Sequence, residues 1–223
     1  MGTIQGVLLD VDGTLIDSND AHARAWVDTL AEFGYQLPFE RLRELIGMGG
    51  DHLLPETTGL EKDSPQGKAI SARRKELFKE RYLPQIAAFD QVRELLEHMR
   101  GAGMRLVVAT SASPEELEGL LERTGAQDLI ESSTSSGDAK RSKPDPDIVG
   151  AALERLGLPK EAVLMLGDTP YDIQAARGAG IGIVALRCGG WRDDDLHGAL
   201  AVYDDPTDLL AHFAESPFAN SPG

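Results

Sequence analysis

Asp10 and Asp12 stand two residues apart, directly after an apolar run and directly before Gly13. In extended chain, side chains two apart point the same way, so both carboxylates can face one spot. If their surroundings differ, one stays ionised as a nucleophile and metal ligand while the other holds a proton for a leaving group. Gly13 permits a tight turn and would aim its N–H at an incoming phosphoryl oxygen. A plain Asp-Gly turn closing a strand is the simpler account of the same residues.

A second acidic pair, Asp168 and Asp172, follows the apolar stretch 163–167. Carboxylate oxygens are hard ligands that suit Mg²⁺, an ion that needs only one or two of them beside phosphate and water. Asp168 is closest to the strand end and is the expected metal ligand. Asp172 either supports from behind or stabilises the N-terminus of the next helix. Lys143 lies in Ser142-Lys143-Pro144-Asp145-Pro146, where two prolines stiffen the loop. Fixed among aspartates, its ammonium would neutralise nucleophile and phosphate; a solvated lysine is the ordinary alternative. Thr110 ends another apolar run, before Ser111-Ala112-Ser113. The Thr110 hydroxyl and Ser111 N–H suit a phosphoryl oxygen at a helix start. Simple capping by Ser111 or Ser113 fits equally.

These groups need elements to position them. Continuous Val7-Leu8-Leu9 predicts a buried strand over 4–10. Trp26, Leu30 and Phe33 fall at helical spacing, predicting a helix over 19–34 capped by Asn19 or Asp20. Helical patterns continue to about residue 84 with no strand among them, interrupted at Gly47–Gly50. Ser64-Pro65 opens a helix running through Arg73, Phe78 and Tyr82. From there the rhythm alternates. Strands are expected over 105–110, 129–130, 162–166 and 181–186, with helices over 90–100, from Pro114, over 146–156 and over 171–179. Such alternation specifies an α/β fold with a parallel sheet covered on both faces. In such sheets ligands bind beyond the carboxyl ends of the strands, where these polar residues would converge. The tail 215–223 is expected to fray.

Composition excludes several roles. Hydrophobic residues are 41 % of 223, enough for a core, and 22 basic against 37 acidic residues give −15. Such a surface repels nucleic acid and anionic lipid, so a phosphate site needs its own local positive charge. The start carries no apolar signal run, and no segment approaches the roughly 20 apolar residues of a membrane span. The single cysteine, Cys188, fits a reducing compartment, and a cytoplasmic location is expected. The five histidines show no paired zinc spacing. Arg73, Arg74, Lys75 and His52 are candidates to meet an anionic group, although a solvated basic helix face accounts for most of them. Nothing in the composition speaks to oligomeric state.

Four motifs in order, Asp10-Val11-Asp12-Gly13-Thr14-Leu15, Val107-Val108-Ala109-Thr110, Lys143-Pro144 and Gly167-Asp168-Thr169-Pro170-Tyr171-Asp172, resemble the haloacid dehalogenase superfamily. The likeness is to its phosphatase and β-phosphoglucomutase-like members with a helical cap. That resemblance implies a Rossmann-like core over 1–16 and 88–223, and a cap over 17–87. It implies that Asp10 attacks phosphorus and that Asp12 protonates the leaving oxygen and then activates water. Thr110 and Lys143 would hold the phosphoryl group. Mg²⁺ would be bound by Asp10, Asp168 and the backbone carbonyl of Asp12. The expected activity is hydrolysis of a small phosphorylated metabolite. A sugar-phosphate mutase is the alternative, because His22-Ala23-Arg24-Ala25-Trp26 resembles the start of the cap in β-phosphoglucomutases. Those enzymes carry an Arg in the cap loop where this chain reads Gly47-Met48-Gly49-Gly50, which favours hydrolysis. A non-catalytic phosphate-binding protein is the third possibility, opposed by the intact aspartate and lysine set.

Overall fold

The computed structural model describes residues 3–219; the start Met1-Gly2 and the end of the tail, Pro222 included, lie outside them. Val7, Leu8 and Leu9 are fully buried, as an apolar run without polar alternation requires. They form β1 (Gly6–Leu9), flanked by β2 (Arg105–Ala109) and β4 (Val163–Gly167). With β3 (Ser132–Thr134), β5 (Gly182–Leu186) and β6 (Ala201–Tyr203), the order is β3-β2-β1-β4-β5-β6. All five pairings are parallel.

Side chains alternate across this sheet. Val7, Leu9, Val108 and Leu166 join one core cluster with α5 (Val92–Gly101) and α6 (Pro114–Thr124). Leu8, Val107, Met165 and Ala185 join the other with α7 (Asp147–Leu156) and α8 (Pro170–Ala179). The α/β class and two-sided cover are those the alternation specifies.

Between β1 and β2 lies a helical insert: α1 (Asn19–Glu32), α2 (Phe39–Arg43), α3 (Gly50–Thr58) and α4 (Pro65–Leu77). It has its own apolar cluster, including Trp26, Leu30, Leu54 and Ile70. Its two connections run side by side. The Asp17 N–H donates to the Ala87 carbonyl at 2.9 Å, and the Phe89 N–H to the Leu15 carbonyl at 3.2 Å. Ser64 caps α4 by accepting from the Gly67 N–H at 3.0 Å.

Three expectations need correction. The strand at 129–130 is instead a short 3₁₀ turn, Gln127–Leu129, and β3 follows it with the polar residues Ser132–Thr134. Buried Thr134 tolerates this because its hydroxyl donates to the Val108 carbonyl at 3.0 Å. Helix α1 is capped by neither Asn19 nor Asp20; Ser18 holds the cap position and makes no capping bond. The tail does not fray as far as residue 218, because Phe218 is fully buried and stacks 6.2 Å from Phe213.

Candidate active site

The strand order reverses direction between β1 and β4, which opens a crevice at their carboxyl ends. Asp10 follows β1, and its N–H donates to the Leu166 carbonyl of β4 at 2.9 Å. Asp168 follows β4 itself, and Thr110 follows β2. Lys143 arrives from the loop between β3 and α7. Groups scattered over the sequence thus meet at the switch point.

Lys143 is 1 % exposed, which excludes a solvated surface lysine. Its Nζ lies 2.5 Å from Asp10 Oδ1 and 2.7 Å from Asp172 Oδ1. Burial works to lower its pKa, but the charges of Asp10 and Asp172 outweigh burial and raise it. The Thr14 hydroxyl bridges Asp168 Oδ1 at 2.9 Å and Asp10 Oδ2 at 3.3 Å. Asn19 Nδ2 donates to Asp168 Oδ2 at 2.8 Å.

Ligand oxygens of Asp10, Asp168 and Asp172 all lie within 4.8 Å of one another, each residue buried. Three carboxylates therefore gather beside one ammonium, which pairs with Asp10 and Asp172 but not Asp168. Burial pushes Asp10 up to about 7, against the pull of Lys143, with Asp172 and Asp12 adding to the rise. Burial, then repulsion from Asp172 and Asp10, raises Asp168 well above the carboxylate range. Fully ionised, the group carries two uncompensated negative charges, which a divalent cation among hard oxygens offsets. The cluster is able to coordinate such an ion. Asp172 is the most committed of the three. Its Oδ2 accepts from the Thr169 hydroxyl at 2.7 Å and the Thr169 N–H at 3.0 Å, while Oδ1 faces Lys143.

Asp12 belongs to a different environment. Its Oδ1 accepts from the Ser18 hydroxyl at 2.6 Å and lies 2.7 Å from His22 Nε2. Burial alone would raise its pKa, but His22, Ser18 and Arg74 together hold it below the ordinary value. Two aspartates two residues apart thus sit in different environments, Asp10 among Asp168, Asp172 and Lys143 and Asp12 against His22 and Ser18; a cation beside Asp10 would offset the rise there.

Gly13 departs from expectation. Its N–H donates to the Ile16 carbonyl at 2.8 Å rather than facing the cavity. Its φ is +76°, and an added Cβ would lie 2.3 Å from Asp168 Oδ2, so the glycine makes room. Thr110 and Ser111 do line the cavity. The Thr110 oxygen accepts from the Ala112 N–H, and Ser111 Oγ from the Lys143 N–H. The helix cap belongs to Ser113, paired in a capping box with Glu116.

A cavity of about 100 Å³ lies between core and insert, with Asp10, Asp12, Thr110 and Ser111 below and His22 and Arg74 above. Arg74 is one of four sequence candidates to meet an anionic group, inside a run that reads mostly as solvated, whereas Glu116, Ser18 and Asn19 carry no such signal in the sequence. Arg73 is a surface group paired with Glu32, whereas Lys75, 3.5 Å from Glu115, also lines the cavity. Arg74 is 8 % exposed and binds Glu116 and His22 Nδ1. The detectable signal is its place with Gly67, Ile70 and Leu77 on the buried stripe of α4. His52 pairs with Asp145 at 3.0 Å instead of lining the cavity.

The haloacid dehalogenase-like hydrolase family model matches residues 7–186. The chain is 30 % identical to a phosphoglycolate phosphatase of Rhodospirillum rubrum over 210 residues, 90 % of this chain and 87 % of that one. It is 28 % identical to an N-acetylmuramic acid 6-phosphate phosphatase of Pseudomonas aeruginosa, over 93 % of each. Among solved structures, a hydrolase from Pseudomonas syringae superposes with a TM-score of 0.89 at 30 % identity, covering 97 % of this chain and all of that one.

Proposed function

The chain belongs to the haloacid dehalogenase-like hydrolase family and is an enzyme with aspartate-based phosphatase activity, and we propose that it hydrolyses a small phosphate monoester through a phospho-aspartyl intermediate on Asp10. The observation that carries this reading is geometric: buried Asp10 meets the Lys143 ammonium at 2.5 Å and lies in one carboxylate cluster with Asp168 and Asp172, while Asp12, Thr110 and Ser111 line the same cavity. Asp10 attacks phosphorus while the ester P–O bond breaks, and the leaving oxygen takes a proton from Asp12. Water then gives a proton to Asp12 and attacks the phosphorus, which releases inorganic phosphate and restores Asp10. Thr110, Ser111 and Lys143 hold the phosphoryl oxygens.

Asp10, Asp168 and the Asp12 carbonyl would hold Mg²⁺, with Asp172 orienting Lys143 and the loop. Bound there, the ion supplies positive charge that lets an anionic nucleophile meet an anionic ester. Residues 17–87 act as the cap, a division supported by the adjoining connections at Ile16 and Ala88. The cap's buried guanidinium, Arg74, is already engaged by Glu116 and His22, and the other cap cations at the cavity, Lys62 and Lys75, lack a bidentate fork, which supports hydrolysis over a mutase that must grip a second phosphate. The phosphatase names among the relatives point to phosphorylated sugars and small acids as substrates. No membrane-spanning helix occurs among the described residues, in keeping with such a substrate. The test is phosphate release from a panel of phosphorylated metabolites with Mg²⁺. Folded protein that releases phosphate from none of them contradicts the proposal.

A further inference from the structure

Asp12, His22, Arg74 and Glu116 form one hydrogen-bonded string, of which the steps above use only the first link. His22 Nε2 lies 2.7 Å from Asp12 Oδ1. The other ring nitrogen, Nδ1, meets the Arg74 guanidinium, which also grips Glu116 Oε1. Glu116 Oε2 accepts from the Ser113 hydroxyl at 3.0 Å and the Ser113 N–H at 3.3 Å. His22, Arg74 and Glu116 are 6 %, 8 % and 8 % exposed, so water does not compete for these bonds. The string crosses from α1 and α4 of the insert to the first turn of α6 in the core.

The chemistry of each member fixes the direction of the bonds. A guanidinium has donors and no acceptor. His22 Nδ1 therefore accepts, which leaves the ring proton on Nε2, where it donates to Asp12 Oδ1. The Ser18 hydroxyl donates to the same oxygen. With Oδ1 doubly occupied, Oδ2 is the oxygen left to carry a proton to the leaving group. The ring plane is held as well: Phe78 stacks on His22 at 4.1 Å and 10°. Arg74 at Nδ1 and the Asp12 carboxylate at Nε2 together dictate which nitrogen carries the proton. Glu116 in turn anchors Arg74, and burial of Glu116 is outweighed by the Arg74 charge and the Ser113 hydrogen bonds, which hold its pKa below the ordinary value.

We propose that Glu116 is a positioning residue for the general acid, acting through Arg74 to fix the His22 tautomer and so the orientation of the Asp12 carboxyl. This rests on Asp12 as the acid of the phosphatase step. Glu116 touches no reacting atom. Its loss should weaken proton delivery and spare nucleophilic attack by Asp10.

That split can be measured with para-substituted phenyl phosphates of nearly one size, using kcat/KM, which reports steps through phosphoryl transfer to Asp10. A 4-nitrophenolate leaves without a proton; a 4-methoxyphenolate needs one. Glu116→Gln is expected to lose about 10- to 100-fold on 4-methoxyphenyl phosphate, the usual cost of removing a supporting partner, and only about 3-fold or less on 4-nitrophenyl phosphate, where general-acid help counts least. An equal loss on both means a merely structural role and overturns the proposal. Should the variant fail to fold, nitrogen NMR on the unaltered protein still decides. The His22 ring, assigned with His22→Gln, must carry its proton on Nε2 alone; a proton on Nδ1 overturns the proposal. If the unaltered enzyme cleaved none of the series, the phosphatase reading would fall while the tautomer still tested the positioning claim.

Discussion

Lys143 and Asp10 lie 133 residues apart in sequence, yet ammonium and carboxylate meet at 2.5 Å with both side chains out of water. A buried pair of this kind is most informative when one partner is removed, because the remaining charge is left without compensation. Lys143→Ala is expected to abolish turnover and to destabilise the fold by about 3–5 kcal/mol, read from urea unfolding. Unchanged stability with retained turnover would show that the pair is not what holds the nucleophile.

The Asp10 carboxyl gives a pH signature in protein stripped of divalent ions with EDTA. Burial raises it from 3.8 to about 7. Between those values the folded state keeps a proton that the unfolded state has released. The folded state then binds more protons, so stability falls as pH rises through that window. Asp10→Asn removes this group and should flatten the slope, while abolishing turnover because an amide is a poor nucleophile. Added Mg²⁺ should restore stability near pH 7 in the parent more than in the variant. Thermal unfolding across pH 4–8 checks both, and an identical slope in the two proteins would contradict the assignment.

Much of this site was legible in sequence because three of the four motifs follow an apolar run that had to be a strand, Lys143 alone arriving on a loop after the polar β3. Asp10, Thr110 and Asp168 inherit their places from β1, β2 and β4. What stayed hidden depended on contacts between segments. Ser18 and Asn19 have the composition of a helix cap, and only the fold shows that they turn to Asp12 and Asp168 instead. Strand β3 escaped notice because it is polar, Ser132-Ser133-Thr134, its buried Thr134 hydroxyl bonded to the Val108 carbonyl, so no apolar pattern marks it. Arg74 was visible in principle, a charge on the Gly67–Ile70–Leu77 stripe, but its adjacency to Arg73 and Lys75 suggested a solvated face.

The buried tail makes a separate claim on stability. Phe218 is fully buried in the cluster that holds Leu209 and Phe213. Phe218→Ala is therefore expected to cost about 3–5 kcal/mol, measured by urea unfolding, with KM little changed because the site lies elsewhere. A loss under about 0.5 kcal/mol, the range of an ordinary surface substitution, would restore the picture of a fraying tail.

Hydrolysis and mutase chemistry share the attack by Asp10 and part at the next step. A phosphatase admits water to phospho-Asp10, where Asp12 in its basic form can activate it. Asp12 is held toward that form by His22 and Ser18. A mutase must exclude water and keep a bisphosphate bound while it turns over, which calls for a free cationic clamp in the cap. The loop Gly47-Met48-Gly49-Gly50 supplies no cation, and its Gly49 N–H is spent on the Lys143 carbonyl at 3.2 Å. Arg74 reaches the cavity but is held by Glu116 and His22, and the cap lysines there, Lys62 and Lys75, offer point charges without a bidentate fork. Given a sugar monophosphate, the enzyme should release inorganic phosphate without accumulating the isomeric sugar phosphate. Phosphorus NMR with and without a sugar bisphosphate primer distinguishes the two. Rapid primer-dependent isomerisation with little free phosphate would mean that a cap cation, Arg74, Lys62 or Lys75, grips the second phosphate, and that the chain is a mutase.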